Sequence, residues 1–176
     1  MIVRPATPDD AAGMGRIHVE ASRSSYAGIL PDDYLARLSA TRHATYYEVG
    51  ILRGHPALVA VEGERVIGFA TVGLRRNSTL GAGEVETLYV GLDWRDQGVG
   101  RELMHEAAAT LATRGARSLF LWVLSNNPSR FFYGHLGGRR AAEGQTRVAG
   151  LTVAKTAFVW DPIDLLLTAT APPRSD

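Results

Sequence analysis

The chain contains no cysteine, and this one absence removes disulfide staples, thiolate metal sites and a covalent thiol nucleophile. Lysine is almost missing as well: Lys155 stands alone against 18 arginines, a bias from which no function is read. The formal net charge is only +1, and Arg75-Arg76 and Arg139-Arg140 are short pairs rather than a basic stripe. Neither a nucleic acid nor an anionic membrane is therefore expected as a partner. No stretch approaches the roughly 20 apolar residues of a membrane span, and residues 1–5 lack the apolar core of a signal peptide. A soluble, cytoplasmic protein is expected. The five histidines (18, 43, 55, 105 and 135) show no metal-ligand spacing, so no metal is expected. His105 and His135 fall on helical stretches and are expected to face solvent.

The 176 residues suit a single domain that buries about two thirds of its unfolded surface. Residues 2–5 read as a short edge strand. Thr7-Pro8-Asp9-Asp10 supplies cap and proline for a helix over 8–23 with Ala11, Met14, Ile17, Val19 and Ala21 on its core face. A second helix runs from Pro31 through Leu38. Residues 57–61 and 65–73 form a hairpin around Glu62-Gly63-Glu64. Strands at 84–91 and 117–124 flank a helix over 100–114 that Gly115 closes, which makes the two strands parallel. A helix over 128–135 and strands near 138–143 and 150–160 complete the sheet. The domain is expected to span 1–161, with 162–176 a loosely ordered tail.

Arg95-Asp96-Gln97-Gly98-Val99-Gly100-Arg101 lies at the turn from strand to helix. Glycines there let an anion approach the backbone, and the starting helix aims unpaired N–H groups and a positive dipole end at the same place. A pyrophosphate suits such a cradle. Its spacing is not that of a dinucleotide fold, because Leu103 occupies the third glycine position, nor that of a triphosphate loop, because no lysine follows.

R-x-x-G-x-G after a strand carrying Leu88-Tyr89-Val90 resembles the GNAT superfamily of acyl-CoA-dependent N-acetyltransferases. A second block agrees: Asn126-Asn127-Pro128-Ser129-Arg130-Phe131-Phe132-Tyr133, then Leu136-Gly137-Gly138, is similar to the family's N-x-x-A-R-x-F-Y…L-G segment, with Ser129 for the usual alanine. Ser25-Tyr26-Ala27-Gly28-Ile29-Leu30-Pro31 resembles the turn that walls the acceptor pocket in small-molecule members.

The resemblance implies an α/β GNAT fold: a mixed, mostly antiparallel sheet of about six or seven strands, splayed between two parallel central strands, with helices on both faces. It implies acetyl-CoA as co-substrate, held by Leu88, Tyr89, Val90, Arg95, Asp96, Gln97, Gly98, Val99, Gly100, Arg101, Asn126, Ser129 and Tyr133. Arg101 is read either as a charge partner of the pyrophosphate or as a solvated first-turn residue, and Asn126 either as a coenzyme contact or as a helix cap. Tyr133 matches the proposed general acid, and as a phenol it has a proton to give; the other reading is packing beside Phe131 and Phe132. Glu84 and Glu86, two apart on a strand, are expected on one face with Leu88 and Val90, and they are the candidate bases, with Glu86 and Tyr26 touching the acceptor; the other reading is that both glutamates are solvated residues after the loop over 79–83. The base of the ribosomal-protein branch falls on Leu121, which turns expectation away from peptide N-termini. A small-molecule primary amine is the expected acceptor, by direct transfer in a ternary complex. A protein or peptide acceptor, a non-catalytic coenzyme sensor and a homodimer stay open.

Overall fold

The computed structural model describes residues 1–172. A seven-stranded sheet runs in the order β1-β2-β3-β4-β5-β7-β6, with β1 at Ile2–Pro5, β2 at Ala57–Glu62, β3 at Arg65–Leu74, β4 at Gly83–Val90, β5 at Leu119–Leu124, β6 at Arg139–Val148 and β7 at Leu151–Trp160. Every neighbouring pair is antiparallel except β4 and β5. That parallel pair meets only at Gly83 with Leu119 and Glu84 with Phe120. Past those residues the strands part, and a wedge opens in the middle of the sheet.

Helices cover both faces. On one lie α1 (Ala11–Ser25) and α3 (Ala40–Leu52), packed on Val59, Val61, Val66 and Phe69. On the other lies α4 (Val99–Thr113), whose Leu103, Met104, Ala107 and Leu111 pack against Leu58, Ala60, Ala70 and Val72. The two apolar sets alternate along β2, as the period of two in a strand requires. The expected core face of α1 is buried in full. Its start is held by the Thr7 N–H, which donates to Asp10 Oδ2 at 2.8 Å, and by Arg4, which donates to both oxygens of the same carboxylate at 2.8 and 3.0 Å. Gly15 lets α1 and α3 touch backbone to backbone, since a Cβ there would collide with the Ala40 carbonyl.

Four features differ from the reading of the sequence. The second helix, α2, is short (Asp32–Ala36), and α3 follows it where no element was expected. After α5 (Arg130–His135), β6 extends to Val148. The stretch read as a loose tail instead forms α6 (Asp164–Thr170), because Ile163 and Leu166 are buried in the layer beside α4; residues 173–176 lie outside the described residues. His105 is half-buried, with Nδ1 hydrogen-bonded to Thr170 Oγ1 at 2.9 Å, so it fastens α6 rather than facing solvent.

Candidate active site

The wedge between β4 and β5 opens into two cavities that share a wall. The larger, of about 770 Å³, is lined by Leu88, Tyr89 and Val90 of β4, by the loop into α4, and by Asn126, Asn127, Pro128, Ser129, Phe132 and Tyr133. In the loop, Gly98 has φ +83° and caps α4; a Cβ on it would meet nothing within 4 Å, so it faces open space. The first intrahelical bond runs from the Glu102 N–H to the Gly98 carbonyl (3.0 Å), which leaves the amides of Val99, Gly100 and Arg101 ahead of the helical ladder. These donors, the positive helix end and the Arg95 guanidinium fit a pyrophosphate. Arg95 reaches across to α1, where it donates to Ser24 Oγ (3.2 Å) and Ser25 Oγ (3.1 Å).

Other expected members of this set behave differently. Gly100 lines the cavity and also admits Phe132, whose Cζ would lie 3.2 Å from a Cβ at that position. Gln97 is not part of the cavity wall, because its side chain donates to the Asp93 carbonyl at 2.8 Å. Arg101 is exposed and lines the larger cavity, yet its side chain is committed elsewhere. Its guanidinium donates to the Thr170 and Ala171 carbonyls (3.5 and 3.0 Å), where it holds the end of α6. The turn before α5 is held by Asn127, which is buried and accepts the N–H of the N-cap residue Ser129 at 2.9 Å, and Asn126 is left exposed on the cavity wall. The pair Asn-Asn-Pro signals a turn without saying which asparagine is spent on it.

The second cavity, of about 370 Å³, is lined by Tyr26, Glu84, Glu86, Thr87, Trp122, Thr146 and Lys155, and it shares Ser25, Leu88, Tyr89, Asn127, Ser129 and Tyr133 with the first. Tyr133 is 7% exposed, its ring 5.3 Å from Phe132 and 5.9 Å from Phe158. The ring packs in the core, and the residue also forms part of both cavity walls. Phe131 instead turns outward at 59% exposed, so only part of the aromatic run packs. Burial raises the Tyr133 phenol above its ordinary range, with nearby Tyr89 adding to the effect, and burial raises those of Tyr26 and Tyr89 too. A phenol so held stays protonated and is a donor.

The two glutamates share a face with each other but not with Leu88 and Val90. Between Thr71, which pairs with Thr87, and Val72, which pairs with Val85, the register slips by one residue. Glu86 is the extra residue of this bulge. The slip sends Val85 to the α4 side with Leu88 and Val90, and leaves Glu84 and Glu86 on the opposite side. Arg75 Nε donates to Glu84 Oε2 at 2.7 Å and its Nη2 lies 3.5 Å from Glu86 Oε2. His55 Nε2 is hydrogen-bonded to Glu86 Oε1 at 2.8 Å. Neither Arg75 nor His55 was among the expected site residues, since they stand 9 and 31 positions away in the chain.

Beneath this wall a cluster escaped the spacing of histidines in the sequence. His18 stacks on His43 with ring centroids 3.7 Å apart, and its Nδ1 is 2.6 Å from the Tyr47 hydroxyl. Burial, assisted by His43, holds His18 down to about 4. Among the described residues no group of three or more His, Asp or Glu side chains is arranged to hold a metal, and no helix is long and apolar enough to cross a membrane.

Comparison with known proteins agrees with this architecture. The family model described as acetyltransferase (GNAT) family matches residues 20–137. The uncharacterized N-acetyltransferase YuaI of Bacillus subtilis (strain 168) is 31% identical over 167 residues, which are 94% of this chain and 96% of that protein. Among solved structures, a GCN5-related N-acetyltransferase from Rhodopseudomonas palustris superposes with a TM-score of 0.73 at 21% identity, covering 91% of this chain and 94% of that one. YncA from Salmonella typhimurium, solved with its cofactor acetyl-CoA, does so with 0.68 at 22% identity, covering 99% and 98%. The seven-stranded, centrally splayed sheet, the glycine turn at the start of α4 and these matches lead to one conclusion: the chain belongs to the acetyltransferase (GNAT) family, enzymes that take an acetyl group from acetyl-CoA.

Proposed function

We propose that this enzyme acetylates a primary amine of a small molecule, by direct transfer with acetyl-CoA and the amine bound together. The observation that carries the reading is the junction of the two cavities at Tyr133, with the glutamates Glu84 and Glu86 on the wall of the smaller one alone. Acetyl-CoA would lie with its pyrophosphate on the amides of residues 99–101, and it supplies a thioester whose sulfur departs as a thiolate. The edge of β4 that no longer pairs with β5 lines both cavities and orients what is bound there.

Two proton movements remain for side chains. Tyr133, kept protonated by burial, gives its proton to the departing sulfur. Glu86 is the better base of the pair: the Glu84 carboxylate is taken up by the 2.7 Å bond from Arg75, whereas Glu86 is 3.5 Å from that guanidinium. Its other oxygen is bonded to His55, which is 44% exposed and carries the ammonium proton onward to water. Tyr26 closes the acceptor side. Leu121, where the peptide-acetylating branch has its base, is 2% exposed in the apolar layer on the α4 side and so is remote in chemistry from an amine.

Release of free thiol from acetyl-CoA, followed with a panel of small amines against a panel of N-terminal peptides, tests the proposal. At least one small amine should be turned over with kcat/KM about tenfold or more above every peptide, and Glu86→Gln should lower that value about tenfold or more. Faster acetylation of peptides, or full activity of Glu86→Gln, rejects it.

A further inference from the structure

The wall of the acceptor cavity across from β4 carries a charge that the proposed chemistry leaves unused. Lys155, the one lysine of the chain, lines this cavity. Its Nζ rests 4.0 Å above the centroid of the Trp122 ring, and among the described residues it enters no ion pair. Its stem is held in a slot. Gly144 is its partner on β6, and a Cβ there would stand 3.4 Å from Lys155 Cε and 3.6 Å from the Trp122 ring, so the bare backbone and the indole leave the chain room to lie along the wall. Thr146, two residues beyond Gly144 on the same strand face, lines the cavity as well.

The charges in this space are thus divided. At one end Glu84, Glu86 and Arg75 leave a net negative site before His55 is counted. At the other a compact ammonium has only an indole face for company, and a partly buried cation without a counter-ion is costly to keep. A simple alkylamine would satisfy the first end and not the second. A molecule carrying both an ammonium and a carboxylate satisfies both.

We propose that Lys155, with the Thr146 hydroxyl, forms a carboxylate subsite, and that the acceptor is of the amino-acid class: its amine directed to Glu86 and Tyr133, its carboxylate to Lys155. This rests on the proposal that a small amine is acetylated in this cavity. Lys155 acts on binding and on which amine is chosen. Proton transfer stays with Glu86 and Tyr133.

The test uses matched acceptors with the purified enzyme and acetyl-CoA: a set of α-amino acids, the primary amide of each, and the corresponding amines lacking the carboxylate. The wild-type enzyme should prefer the acids at least about tenfold in kcat/KM, mainly through KM, because a charge-assisted bond is lost in the amide. Lys155→Gln should raise KM for the acids about tenfold while leaving the amides unchanged, and Lys155→Arg should restore part of the preference. Equal turnover of acid and amide by the wild type overturns the subsite alone. So does a Lys155→Gln variant that weakens acids and amides alike, since that is the mark of a packing role. No turnover of any small amine overturns the acceptor reading and this subsite with it. Should Lys155→Gln fail to fold, the acid and amide comparison in the wild-type enzyme decides.

Discussion

The two cavities are built by different means. The larger takes its anion-holding groups mainly from backbone, the amides of residues 99–101 beside a glycine held at φ +83°, with the Arg95 guanidinium added. Its main parts come from two short runs of chain, 95–101 and 126–133. The smaller takes its polar groups from side chains that five elements bring together: Tyr26 after α1, the glutamates on β4, Trp122 on β5, Thr146 on β6 and Lys155 on β7. A site of amides needs a turn and a helix start, and tolerates many neighbours. A site of side chains depends on every element that contributes to it. On the proposed assignment, the donor half is fixed by local conformation, whereas the acceptor half depends on residues drawn from across the sheet.

Four measurements sharpen or break this division. Tyr133 stands on both sides of it, so Tyr133→Phe should give the largest effect: kcat lower by roughly 10²-fold with little change in melting temperature. A fall of less than about threefold, with chemistry shown to limit the rate, would assign Tyr133 to packing alone. Gly98→Val should weaken acetyl-CoA binding by at least about 2 kcal/mol, roughly 30-fold in Kd by calorimetry, while the KM of the acceptor stays within about twofold. The left-handed φ also costs the folded chain about 1–2 kcal/mol, so folding is to be checked first. Wild-type affinity in a folded variant would show the cradle to be elsewhere.

The layer behind Tyr89, where His18 packs, should also respond to acid. His18 is held down to about 4 from an ordinary 6.5, so the folded state prefers the neutral ring. Between those values the unfolded chain binds more protons, and stability falls as pH falls. The contribution is complete above pH 6.5 and is lost towards pH 4, amounting to about 2 kcal/mol once the exposed part of the ring is discounted. Denaturant titrations across that range should show the loss, and His18→Asn should flatten it; an unchanged slope would remove His18 from the account. The smallest effect belongs to Gln97→Ala, which should leave acetyl-CoA affinity within about twofold despite its place in the glycine loop, because its side chain is spent on the Asp93 carbonyl.

The same division describes what could be read from the sequence. Gly98, the start of α4 and the parallel pair were legible because each is a local signal: a breaker, a cap, a period of two or of 3.6; Tyr133 was singled out by the family resemblance. Hidden features were those in which a distant partner decides. Arg101 looked like any first-turn arginine until α6 supplied carbonyls for it. Leu165, Leu166 and Leu167 follow a proline and read as a tail, yet Leu166 is wholly buried. Helix α3 buries only Tyr47 fully, so its apolar stripe is faint; the one local sign of it was Ser39, whose Oγ accepts the Arg42 N–H at 3.2 Å. The bulge in β4 is invisible to pattern, since Glu-Val-Glu-Thr-Leu alternates well enough without it.

That bulge makes chain length itself informative. Thr71 pairs with Thr87 and Val72 with Val85, so a strand missing residue 86 would close into a regular ladder. Val85 would keep its place in the apolar layer and Glu84 its place beneath Arg75. Deletion of this one residue would therefore remove a carboxylate from the cavity and leave the sheet around it in register. Among proteins built on this strand, a gain or loss of a single residue between two intact apolar positions would mark a change of chemistry that substitution counts do not register.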